Sequence, residues 1–278
     1  MNNDNLVFLQ DNLKYMGFGD LLLLNEQLEQ EIIRETKEFQ LSTEAYYEDN
    51  YRLEGILYFR RGDSSDLYFF NKYEALLRDG SNENNTRRQV FYISKGTGVT
   101  FREAFNLLQG RSVNRDFTDF EGEKYNAWIQ LNFEELDTHQ NHKVKQFRVQ
   151  YGYNLEKILE NYPIRELTSP ETKSGLLKSL KKGNLQQVSF CMSDRTEKML
   201  IEAAPQFKTI HIYKSSAQGL QRVERKEMLA FMAERVMQKT AEPPEDWKDM
   251  ETAEVEEVKE EEQETVISRP AAKRGSRK

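Results

Sequence analysis

The sequence predicts an α+β fold. It has an N-terminal helical segment (residues 1–38), an antiparallel sheet unit with one helix (39–150), a smaller helix-plus-sheet unit with a terminal helix (151–240), and a disordered tail that is acidic and then basic (241–278). Three observations predict it. Strand-like segments come in runs separated by isolated helices, without the regular alternation of strand and helix that builds parallel sheets. A chain of 278 residues with 37% hydrophobic and 11% aromatic content holds enough apolar side chain for a sizeable core in one large domain or two small ones. The net charge of −7 gathers in blocks near the C-terminus instead of spreading along the chain.

In chain order, Leu6, Leu9, Leu13 and Met16 recur at helical spacing before Gly17-Phe18-Gly19. Leu21, Leu24, Leu28 and Ile32 resume the period after Asp20, a natural N-cap, which predicts a helical hairpin or a kinked helix. Strand patterns follow at Phe39-Leu41, Leu53 to Phe59, Leu67 to Phe69 and Val90 to Tyr92, with Arg61-Gly62-Asp63 and Asp79 to Asn82 as turns. Thr100-Phe101-Arg102-Glu103 has the spacing of a capping box, in which the Thr oxygen and the Glu carboxylate each satisfy an orphan backbone donor. Phe101, Phe105 and Leu108 continue that helix, and Gly110 ends it.

After this helix come strand candidates near Val113, over Glu123 to Phe133, and near Val144 to Phe147. Residues 170–213 read the same way: a helix opened by Pro170 and ended at Gly183, then strands at Val188 to Phe190, Glu197 to Ile201 and Thr209 to Tyr213. The shared order of elements, with Glu-Lys opening both middle strands, fits a degenerate repeat of residues 101–147 and 170–213. A short helix through Leu155, Ile158 and Leu159 joins the two, and Lys226 to Lys239 is amphipathic through Met228, Leu229, Met232 and Val236.

From Glu242 to Thr265 twelve acidic residues face only Lys248 and Lys259, whereas Ser268 to Lys278 is wholly basic in its charges. A segment with so few large apolar residues cannot offset its ordering entropy, which predicts disorder. It reads either as a solubilising tail or as an arm whose acidic part folds back on basic surface while its tip touches nucleic acid.

The stretch from Gly96 to Arg115, continued by Glu121 to Leu131, resembles a family of uncharacterised proteins from Bacteroidetes-type conjugative and mobilizable elements. There a helix ending in Leu-Leu-x-Gly leads through a basic-flanked Val into a Gly-x-x-(Tyr/Phe)-x-Ala strand, matched here by Leu107 to Gly110, Val113 and Gly122 to Ala127. The block Lys198 to Tyr213 is similar to a further segment of such proteins, and the resemblance covers residues 1–215. It implies a mobile-element context and carries over no catalytic residue.

Composition excludes several classes. No apolar run approaches the roughly 18–20 residues of a membrane span, and Met1 to Asn5 lacks the basic start of a signal peptide, so the expected location is the cytoplasm, without a membrane partner. A single cysteine, Cys191, makes no internal disulfide and no four-cysteine zinc site, and reads as a buried structural thiol. Asp137, His139 and His142 fit a hairpin loop better than a metal site. His211 alternates with Ile210 and Ile212 and belongs on the strand face opposite to them. Lys95-Gly96-Thr97-Gly98 lacks the spacing of a phosphate loop and reads as a strand-to-helix turn. No cofactor, metal or catalytic residue is expected.

One constellation remains. Residues 86–115 hold Arg87, Arg88, Lys95, Arg102, Arg111 and Arg115 against the single acid Glu103, with Tyr92 among the nearby aromatics. Cations that neutralise phosphates beside an aromatic that stacks on a base are what sequence-tolerant single-strand binders use. A non-enzymatic interaction or scaffold role with a protein partner is the leading expectation. The alternative is a single-strand nucleic-acid-binding accessory protein, in which Arg87, Arg88, Arg111 and Arg115 line one exposed face, and an enzyme of unknown class comes after both.

Overall fold

The structure, a computed structural model, describes residues 2–19, 21–48, 50–94, 98–216 and 219–239. Asp20, Lys95, Gly96, Thr97 and residues 240–278 lie outside the described residues, and with them the expected N-cap, strand-to-helix turn and tail. Within them the chain is α+β, with six α-helices and three antiparallel sheets. No described helix is long and apolar enough to cross a membrane.

Helices α1 (Asn3–Met16) and α2 (Leu21–Ile33) form the expected pair, broken at Gly17, whose left-handed φ of 73° lets its N–H return to the Leu13 and Lys14 carbonyls. Strands β1 (Glu38–Tyr47), β2 (Tyr51–Arg61), β3 (Tyr68–Asp79) and β4 (Asn82–Tyr92) form a sequential antiparallel meander. Helix α3 (Phe101–Leu108) leads into a second meander of β5 (Val113–Thr118), β6 (Lys124–Leu136) and β7 (His142–Arg148). After the short helix α4 (Leu155–Leu159), helix α5 (Pro170–Lys181) leads into a third, of β8 (Gln186–Cys191), β9 (Thr196–Ala204), β10 (Thr209–Ser216) and β11 (Gly219–Arg222). Helix α6 (Arg225–Lys239) ends the described chain. The repeated order expected for residues 101–147 and 170–213 is present: each is a helix followed by strands that pair in sequence.

Two apolar cores alternate with these layers. The first joins α1, α2 and the inner face of the first sheet to α3, so residues 1–38 share a core with the strands that follow. Helix α3 packs against β3 and β4 on one side and β5 and β6 on the other. Phe101, Ala104, Phe105, Leu107 and Leu108 are therefore all buried, as a helix enclosed by two sheets requires. Both halves of the Thr100–Glu103 capping box are made. A Cβ at Gly55 in β2 would lie 2.8 Å from Thr43 Cγ2 on β1 and 3.0 Å from the Phe101 ring, so the close approach of both favours glycine there.

The second sheet is buried on both faces. Val113, Ile129 and Leu131 enter the first core, whereas Trp128 and Phe147 enter the second, with α4, α5, the third sheet and Phe231 of α6. Two-sided burial explains why Ala127-Trp128-Ile129 reads as an apolar run and not as an alternation. Gln89 ties the sheets together: its amide donates to the His142 carbonyl at 3.2 Å and accepts from the His142 N–H at 2.8 Å. Asn141 Oδ1 accepts the Val90 N–H at 3.0 Å, so the β6–β7 turn occupies part of the β4 edge.

Candidate functional site

The arginines of residues 87–115 do not share one face. Arg87 and Arg88 are neighbours in β4, and successive strand side chains leave on opposite sides. Arg87 turns inward, donates to the Leu108 carbonyl at 2.7 Å and lies 4.2 Å over the Phe133 ring, closing the C-terminus of α3. Arg88 turns outward and makes a bidentate pair with Glu74 at 2.7 and 2.6 Å, bonds that raise its pKa above the ordinary guanidinium value.

Arg111 departs furthest from the expected exposed position. It is 9% exposed and sits where the three sheet units meet. Its guanidinium grips Glu48 of the β1–β2 turn through two bonds of 2.8 and 2.7 Å, reaches Asn106 Oδ1 at 3.1 Å, and lies 3.5 Å from Glu202 of β9. A guanidinium taken out of water is tolerated only with such partners. Asn106, fully buried on α3, donates to the Lys182 carbonyl and to Asn184 at 2.7 and 2.9 Å. Arg102 stacks 4.6 Å over Tyr47 and also donates to Asn184, at 3.2 Å. Arg115 pairs with Glu103, whose same carboxylate oxygen accepts the Thr100 N–H of the capping box. Lys95 lies outside the described residues.

Glu202 continues this junction into the third sheet. His211 and Tyr213 of β10 both meet its Oε1, His211 through Nδ1 at 2.9 Å and Tyr213 by donating at 2.7 Å. Burial pushes the Glu202 carboxyl up, but the bonds from His211 and Tyr213 and the charge of Arg111 outweigh it and hold the pKa below the usual range. Burial, with Glu202 beside it, raises the Tyr213 phenol. His211 lies opposite the fully buried Ile210 and Ile212, as the alternation required. Its Nε2 is buried and has no hydrogen-bond partner among the described residues.

The other candidates resolve locally. Asp137 Oδ1 accepts the backbone N–H of His139 and Asn141 at 2.8 and 2.9 Å, which makes that stretch the β6–β7 turn. No group of three or more metal-ligating side chains occurs among the described residues. Cys191 is half-exposed instead of buried, at the outer end of β8.

The outer face of the first sheet, opposite the helices, is uncovered among the described residues. Cross-strand register places Gln40, Tyr58, Lys72 and Tyr92 in one row over all four strands, with Lys72 held 4.6 Å over the Tyr58 ring. Tyr46 and Tyr92 are 70% and 36% exposed. Around them the charges are matched: Arg52 with Glu44 and Glu54, Arg78 with Glu54, and Arg88 with Glu74. Of the expected site residues, Arg88 and Tyr92 belong to this face, and Arg87, Arg102, Arg111 and Arg115 to the layers beneath it. Tyr58, Lys72 and Tyr46 escaped sequence reasoning, although alternation with the buried Leu57, Phe59, Tyr73 and Ala75 would have placed Tyr58 and Lys72 outward. Comparison with protein-family models, with curated proteins and with solved structures finds no match.

Proposed function

We propose that the protein is a non-enzymatic interaction module that takes a protein partner on the outer face of its first sheet, in the cytoplasmic setting of a mobile genetic element. The observation that carries this reading is the composition of the face: exposed tyrosines set among arginines already paired with glutamates. Aromatic anchors with a polar, charge-balanced surround are typical of protein interfaces, whereas a phosphate backbone needs uncompensated cations.

A photocrosslinking residue in place of Tyr46 or Tyr92 tests it. Irradiation in cells is expected to give a discrete, nuclease-resistant protein adduct that is absent when the probe replaces Phe120, which is 91% exposed in the β5–β6 turn. Equal capture at both places overturns the reading. Nuclease-sensitive adducts would favour the second reading, single-stranded nucleic acid, which the Tyr58–Lys72–Tyr92 row supports as a stacking platform with a lysine beside the rings.

A further inference from the structure

Helix α5 presents three lysines, Lys178, Lys181 and Lys182, with no carboxylate in salt-bridge contact among the described residues, although, after the hydrogen bond from Lys173, the Lys181 charge helps hold the Glu156 carboxyl below its ordinary value. Lys178, Lys181 and Lys182 are exposed and spaced i, i+3 and i+4, so they share one side of the helix and its end. Lys173, earlier on the same helix, is by contrast held by Glu156 and Glu160 at 2.6 and 3.1 Å. Like charges at this spacing repel, and an anionic partner relieves that repulsion.

The chain itself carries a segment of the opposite sign. Residues 242–265 hold twelve acids against two lysines, and they begin just after α6. The side chain of Gln238 donates to the Cys191 carbonyl at 2.6 Å, so α6 ends beside the last residue of β8. The first residue of β8, Gln186, follows α5 in the chain. A strand of six residues spans about 20 Å, and fifteen residues of chain reach up to about 50 Å, so the acidic segment can cover the lysines from where α6 ends.

We propose that the acidic segment 242–265 seats on the Lys178, Lys181 and Lys182 face of α5 as an internal polyanion. The face is thereby occupied within the molecule, and an outside polyanion must displace the segment to reach it. Attachment through the same chain gives the contact an effective concentration that separate molecules lack.

Carbodiimide coupling of the full chain, mapped by mass spectrometry, tests the contact. Glutamates of the segment are expected to couple to the three α5 lysines at least about five-fold more than to exposed Lys14 and Lys124, independently of protein dilution. At about 0.5 M salt, where exposed charges are screened, the preference is expected to disappear. In a second measurement, the triple variant Lys178→Gln, Lys181→Gln, Lys182→Gln is expected to lose its tail to a glutamate-specific protease several-fold faster, with an unchanged circular dichroism spectrum. Even coupling over all lysines, coupling lost on dilution, or unchanged cleavage overturns the proposal.

Discussion

Arg88 and Arg111 come from one short stretch of chain and end in opposite surroundings. On the outer face of the first sheet, Arg88 meets one carboxylate and solvent. Behind α3, Arg111 meets Glu48, Asn106 and Glu202, from three different parts of the chain, and almost no solvent. The difference lies in what each arginine faces. The outer pair balances charge on a surface that stays accessible, whereas the inner guanidinium links the β1–β2 turn, α3 and β9.

Removing the inner group should separate the two regions most sharply. Arg111→Ala strips its closest cation from Glu48 and leaves the buried Glu202 with only His211 and Tyr213, and is expected to cost roughly 3–5 kcal/mol in urea unfolding. Arg115→Ala, which strips a partner from the buried Glu103, is expected to cost about 1.5–3 kcal/mol in the same assay.

Glu202→Gln sharpens the comparison through pH. Because the folded carboxyl is held below its ordinary value of 4.5, the ionised form stabilises the fold above that pH, and this stability is lost as pH falls through the folded value. The variant is expected to be less stable than the parent near pH 7, with the gap closing below about pH 4.5, read by thermal melts across pH. Arg88→Ala closes the series, with an expected cost below about 1 kcal/mol because its pair is partly exposed.

Features set by neighbours in sequence were legible beforehand. The capping box of α3, the turn at Asp79 to Asn82 and the helix ends at Gly17, Gly110 and Gly183 each depend on residues a few positions apart. β1 and β3 run beyond the patterns that revealed them, although the buried Tyr73, Ala75 and Leu77 alternate with outward Lys72, Glu74 and Leu76 in β3. The fate of Arg111 was hidden: Glu48 is 63 positions away, and only the stacking of three units brings the two together. The opposite directions of Arg87 and Arg88 were legible from strand alternation once β4 was assigned.

Titration of the full chain against a labelled single-stranded oligonucleotide, followed by fluorescence anisotropy over a range of salt, tests most directly whether these arginines are committed within the molecule. The pairing predicts no saturable binding tighter than about 100 µM, the weak end of non-specific association, and no change in Arg88→Ala. Saturable binding that falls steeply with salt, and is weakened by Lys72→Ala or Arg88→Ala, would contradict it.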